Sequence, residues 1–231
     1  MALELGSGLL HRARRQATHE VVAGVLREAI TTGQLKGNQP LPQDEIASQL
    51  RVSHIPVREA LRQLESEGLV TYQPNRGATV TALSSEEIRE IYDIRAILET
   101  AAVRRAAPRL AAESLARAAA LLDRAEAALD GAAWGSLDVE FHQLVYDLDT
   151  RPRLKEIITG LLRRVDRYWL SHGLMLKHRE SFDREHRALL DALRARDPER
   201  ASRVLEAHLR GACELLIAEL ESQASTAAAA G

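Results

Sequence analysis

The chain has 231 residues, of which 45% are hydrophobic and 28% charged, and its formal net charge is −2. That length suits two domains better than one, and the composition excludes a disordered polyelectrolyte. Aromatic residues make up only 3%, and the prominence of Ala, Leu, Arg and Glu favours helices over sheets.

Residues 1–17 read as a flexible arm with a basic end. Thr18 is placed to cap a first helix, in which Val21, Val22, Val25, Leu26 and Ile30 recur at helical spacing until Gly33. A turn-rich stretch, Lys36 to Pro40, leads to a short helix from Pro42 to Leu50. Ser53 opens the next helix, which turns Val57, Ala60, Leu61 and Leu64 inward and ends at Gly68. Leu69–Tyr72 and Ala78–Thr81 read as two short strands, with Gln73-Pro74-Asn75-Arg76-Gly77 as the turn between them. Three helices and a β-hairpin compose a winged helix-turn-helix over residues 18–82. From Ser84 the strand signals stop. Ser84-Ser85-Glu86-Glu87 is a capping box, and helices are expected over 84–108, 112–129, 136–149, 152–170, 178–196 and 198–222. The fold class is therefore mainly α: a winged head, then an all-α antiparallel bundle over 83–223 and a disordered tail over 224–231.

The apolar stretch around Leu9 and Leu10 is too short for a secretory leader and runs into His11, Arg12, Arg14 and Arg15. A single cysteine, Cys213, reads as a small core residue and suits a reducing compartment. These features point to a cytoplasmic protein with no membrane partner.

Charge alone does not announce a nucleic-acid partner, since residues 1–80 hold nine Lys/Arg against eight Asp/Glu. Geometry says more. A helix beginning after Ser53 offers free backbone N–H groups and the positive end of its dipole, both suited to phosphate or groove entry. Pro56 is tolerated in the first turn. Arg58 and Arg62 stand one turn apart, away from the apolar stripe, where they can reach base edges or phosphates. Arg76 beside Gly77 at the hairpin tip can enter a minor groove. The competing reading is that Arg58 and Arg62 pair with Glu59 or Glu65 on a solvated face. The segment Val52-Ser53-His54-Ile55-Pro56-Val57-Arg58-Glu59-Ala60-Leu61, with Leu64 to Val70 and Pro74-Asn75-Arg76-Gly77, resembles the GntR family of bacterial regulators. The resemblance implies a homodimer bound to a short, roughly palindromic double-stranded DNA operator. Family members usually carry Arg at His54 and commonly Thr at Ile55, which puts operator choice in doubt. His54 is open to a structural or a reading role, and Ile55 can meet a thymine methyl.

In the second domain, Asp138 and His142 are four residues apart on the helical face that includes Phe141 and Val145. His186 leads a stripe with Leu189, Leu190 and Leu193, and His208 shares one with Val204, Leu205 and Ala212. Four metal-competent groups thus sit on the apolar sides of three helices. Each alone reads as a hydrogen-bonded core residue; together they point to a divalent ion such as Zn, Ni, Mn or Fe. This region resembles the FadR-type C-terminal domain, whose metal pattern matches at Asp138, His142, His186 and His208. That resemblance implies a small organic or sugar acid as effector. Arg95, on a face with Tyr92, Leu98 and Glu99, either pairs with the effector's carboxylate or makes an ion pair within the bundle. Arg163, Arg164 and Arg167 read as a solvated face, and His11, His19, His172 and His178 as surface residues.

The leading expectation is a ligand-responsive repressor rather than an enzyme. The other classes are a metal-dependent hydrolase or lyase, since such a site can activate water, and a regulator that senses the metal itself.

Overall fold

The computed structural model describes residues 7–73, 77–171 and 173–229. The chain divides into two compact units, Met1–Ala82 and Leu83–Gly231.

In the first unit, α1 (Ser7–Thr31), α2 (Gln43–Leu50) and α3 (His54–Ser66) precede β1 (Val70–Gln73) and β2 (Gly77–Val80). The strands pair antiparallel with Val70 opposite Val80 and Gln73 opposite Gly77, and a bridge from Pro40 to Thr79 extends the ladder on its other edge. Val22, Leu26 and Ile30 of α1 interlock with Val57, Leu61 and Leu64 of α3 and with Val70 and Val80 of the hairpin. Each such side chain contributes roughly 1.5–3 kcal/mol on burial. Arg27 grips Glu67 with two charge-assisted bonds of 2.6 and 2.8 Å, fastening α1 to the end of α3. Gly68 turns the chain into β1 at φ +74°, a left-handed conformation that costs glycine nothing.

The first helix departs from expectation. It begins at Ser7 rather than Thr18, so most of the segment read as an arm is helical. Residues 7–17 hold good helix formers, and no Pro or Gly beyond Gly8 interrupts them.

The second unit contains α4 (Ser85–Ala106), α5 (Ala112–Glu126), α6 (Gly131–Val145), α7 (Pro152–Ser171), α8 (Leu174–Arg194) and α9 (Pro198–Ala229). A single 3₁₀ turn over Leu148–Thr150 links α6 to α7. The capping box at the start of α4 forms as read: the Glu87 N–H donates to Ser84 Oγ, and the Ser84 N–H donates to Glu87 Oε2 at 2.8 Å. α4 lies along α9, and α5 packs on α6 and α8. One continuous apolar core runs through all six helices, including Phe141, Ile158, Leu190 and Leu205. Cys213 is buried within it.

α6 starts at Gly131, earlier than expected, because Asp130 accepts the Ala133 N–H at 2.7 Å and so offsets the helix cost of Gly131 and Gly135. Gly135 is also a close-approach position, since a Cβ there would lie 2.8 Å from the Met175 sulfur on α8. α8 likewise starts at Leu174, after Gly173 at φ +63°. His178, read as a surface residue, is half-buried against Phe182. α9 continues to Ala229, through the Ala-rich segment read as a disordered tail; alanine has the highest helix propensity. Among the described residues no helix is long and apolar enough to cross a membrane.

Candidate metal centre and nucleic-acid face

The exposed N-terminal end of α3 gathers the residues proposed to meet DNA. Ser53, His54, Ile55, Arg58 and Arg62 are all exposed, while Pro56, Val57, Ala60 and Leu61 face the core. Ser53 sits at the N-cap with extended backbone but makes no side-chain cap bond, which corrects the expectation of a capped start. Pro56 contributes to this: it occupies the third helical position and has no N–H to offer, which leaves only the Ile55 N–H as a possible donor. The hydroxyl is thereby left to solvent or to a phosphate. His54 Nδ1 lies 3.3 Å from Asp44 Oδ1, both well exposed. Arg58 and Arg62 point away from the apolar side of α3, near enough to Tyr72 for their charges to be felt there. Gly77 opens β2 at φ +71°, exposed, and Arg76 lies outside the described residues.

In the bundle, the four proposed ligands converge. The ring nitrogens of His142 (α6), His186 (α8) and His208 (α9) all lie within 4.8 Å of one another. His142 Nε2 is 3.1 Å from His186 Nε2, and Asp138 Oδ1 is 3.5 and 3.2 Å from those two nitrogens. Atoms bound at about 2.1 Å to one ion, at angles of 90–109°, would stand roughly 3.0–3.4 Å apart. Asp138 Oδ1 is also buried with no hydrogen-bond partner, the condition that a cation would relieve. Burial pushes the Asp138 carboxyl up, but the surrounding imidazoles of His142, His186 and His208 outweigh it and hold it well below the usual carboxylate range. Burial holds the His186 imidazole well below its ordinary value, hence neutral and able to ligate. The donor set fits a divalent ion.

Behind these ligands stands a second tier of polar residues, of which Tyr146, Glu99 and Arg95 are buried. His208 Nδ1 contacts Glu185 Oε2 at 2.7 Å. His142 Nδ1 contacts the Tyr146 hydroxyl at 2.7 Å, Tyr146 donates to Glu99 Oε2 at 2.8 Å, and Arg95 Nε donates to Glu99 Oε1 at 2.8 Å. Arg95 and Glu99 are 6% and 1% exposed. The ion-pair reading of Arg95 is therefore realised, yet Arg95 also borders a cavity of about 50 Å³ beside the centre, together with Asp138, His142 and His208. Its guanidinium carbon lies 4.6 Å from the Tyr92 ring centroid, a cation–π contact. Burial pushes the Tyr92 hydroxyl up to about 12, so it stays protonated, and it accepts the Trp169 indole N–H at 2.9 Å.

Residues 18–80 match the family of bacterial regulatory proteins named gntR, and residues 90–211 match the FCD domain. The chain belongs to the GntR family. Its head is the family's helix-turn-helix domain and its bundle the FCD, or FadR-type, domain. This GntR regulator is 28% identical over 205 residues to the HTH-type regulator YdhC of Bacillus subtilis, covering 85% of this chain and 89% of that one. It is 27% identical over 198 residues to the repressor RspR of Escherichia coli, covering 84% and 87%. The solved structure of E. coli McbR/YncC superposes with a TM-score of 0.70 at 28% identity, covering 88% of this chain and 98% of that one. The relatives are DNA-binding transcriptional regulators, which sets aside the hydrolase or lyase class.

Sequence reasoning missed Asp166 of this GntR regulator, a carboxylate that borders the same cavity without a hydrogen bond or ion pair among the described residues. Burial pushes its carboxyl up to about 7; Arg95 opposes the rise and Asp138 adds to it. Its signal lay only in the third dimension, since Asp166 follows Arg163 and Arg164 on a helix whose visible face is charged. Those two arginines are exposed, as read. Tyr146 and Glu99 were missed as partners of His142 for the same reason. His19, read as surface, is half-buried, whereas His172 and the side chains of His11 and Arg167 lie outside the described residues.

Proposed function

We propose that this GntR regulator is a homodimeric repressor whose operator affinity is set by a small carboxylate or sugar acid. The acid would bind beside a divalent ion held by Asp138, His142, His186 and His208. A bound ion would supply positive charge and open coordination positions for a carboxylate oxygen. Arg95 stands ready to pair with the same anion, and Glu99 keeps that guanidinium oriented. The observation that carries the reading is the convergence of three imidazoles and an unpartnered carboxylate oxygen at a cavity that Arg95 also borders. The repressor assignment follows the relative RspR, which is named as one. Acid binding would alter the spacing of the two heads of a dimer, whose recognition helices must fit successive major grooves. Such a protein acts on DNA in the bacterial cytoplasm.

Thermal melting of Zn²⁺-loaded and chelator-stripped protein against a panel of small hydroxy and sugar acids tests this. An acid at a hundred times its dissociation constant should add roughly 2.7 kcal/mol. The shift should vanish on stripping, and the same acid should change affinity for DNA selected from a random-sequence pool. An acid that binds tightly but leaves DNA affinity unchanged at fixed salt would sink the proposal. The cavity, with room for roughly three or four water-sized groups, favours a second reading, in which the ion is itself the signal. Zn²⁺ alone would then control DNA binding, and no acid would shift the melt.

A further inference from the structure

Tyr146 and Glu99 are buried and border no part of the cavity; they reach the metal centre only through His142. Their hydrogen bonds have a forced direction. Glu99 accepts the Arg95 Nε–H on Oε1, so its carboxylate is ion-paired and has no proton to give to its other neighbour. Tyr146 has one hydroxyl proton and two polar neighbours, Glu99 Oε2 at 2.8 Å and His142 Nδ1 at 2.7 Å. A phenol keeps that proton at neutral pH. Turned toward His142, it would leave two oxygen lone pairs facing each other in a buried site, a costly arrangement. Turned toward Glu99, it leaves a lone pair for His142, and Nδ1 must carry the proton.

We propose that Tyr146 and Glu99 are positioning residues that hold His142 in its Nδ1–H tautomer, so that Nε2 presents a bare lone pair to the metal centre. The proposal rests on the metal reading above. Glu185 does for His208 what Tyr146 does for His142: it accepts from Nδ1 at 2.7 Å and leaves Nε2 free. The Arg95–Glu99–Tyr146–His142 chain also joins the guanidinium proposed to meet the acid to a ligand of the ion. Arg95 is held by Nε, and its two terminal nitrogens are spared from Glu99.

Two near-isosteric variants separate positioning from packing. Tyr146→Phe removes one oxygen and leaves His142 Nδ1 without its acceptor. Glu99→Gln is sharper. Its amide oxygen must face Arg95 Nε, so its NH₂ donates to the Tyr146 oxygen, and the hydroxyl proton turns to His142 and drives it to Nε2–H. Long-range ¹H–¹⁵N spectra of the stripped, ¹⁵N-histidine-labelled full chain should show His142 as Nδ1–H in the wild type, mixed in Tyr146→Phe, and Nε2–H in Glu99→Gln. Zn²⁺ affinity by chelator competition should fall roughly 10- to 100-fold in both variants. A wild-type His142 already in the Nε2–H form, or Zn²⁺ bound equally by wild type and both variants, overturns this proposal alone. A wild type that takes up no Zn²⁺ overturns the metal reading and this proposal together.

Discussion

The head and the bundle of this GntR regulator arrange the side chains proposed to act in DNA and metal binding in opposite ways. In the head, Ser53, His54, Ile55, Arg58 and Arg62 come from the first two and a half turns of one helix, stand in solvent, and take no part in the core. In the bundle, Asp138, His142, His186, His208, Arg95, Glu99 and Tyr146 come from α4, α6, α8, α9 and the residue ending α6, and most are buried. An exposed side chain can be exchanged with little effect on folding, so its chemistry and the stability of the fold are separable. A buried polar site is part of the core's own accounts: each group must be satisfied by another, and removing one strands its partner.

The largest test of that contrast is Arg95→Ala. It leaves Glu99 buried without its cation and should destabilise the metal-stripped chain by about 3–5 kcal/mol in urea unfolding. A loss below about 1 kcal/mol would place the bundle on the same footing as the head. Arg58→Ala is the mirror case. DNA affinity should drop by about 1–3 kcal/mol while the unfolding free energy stays within about 0.5 kcal/mol of wild type. If the midpoint of unfolding moves instead, the arginine is structural.

Asp166 sharpens the comparison through pH. A carboxyl raised from 3.8 to about 7 binds its proton more tightly in the folded chain than in the unfolded one. Its contribution to stability is therefore fully present below about 4 and is lost as pH rises to about 7. Asp166→Asn carries no such charge. Its unfolding free energy, measured by urea titration of stripped protein, should gain on wild type as pH rises from about 4 to about 8. The gain should reach roughly 1–2 kcal/mol, below the full ~1.4 kcal/mol per unit because the side chain is partly open to the cavity. Equal pH profiles would show that the carboxylate is solvated through the cavity.

The smallest effect contrasts two helix starts. Ser84→Ala removes a formed capping box and should cost about 1 kcal/mol, whereas Ser53→Ala should change thermal stability by no more than a few tenths. The same Ser53→Ala variant is expected to weaken DNA binding if the free hydroxyl meets a phosphate. A full 1 kcal/mol loss of stability at Ser53 would mean that the hydroxyl caps α3 after all.

The winged head was legible in the sequence because its signals are local. Helical periodicity in Val57, Leu61 and Leu64, Gly68 at the end of a helix, and two short strands around a Pro-Asn-Arg-Gly turn each act within a few residues. The four metal-competent residues were legible for a related reason: Asp138, His142, His186 and His208 each break an apolar stripe that helical spacing directs inward. Helix starts were less legible. Asp130 and Gly173 begin helices through glycines that argue against them, and an N-cap serine at position 53 loses one of its two possible donors because Pro56 has no N–H.

Sequence alone thus determined the mainly helical class, the order of head and bundle, the exposed face of α3, and which side chains would be forced into the core. Only the tertiary structure decided that the three imidazoles meet at one point, that Arg95 both pairs with Glu99 and borders the cavity, and that Asp166 joins it there. Periodicity fixes which way a side chain points from its own helix axis. Which side chains then face one another depends on how helices distant in sequence pack, and that is set by the shape of the whole core.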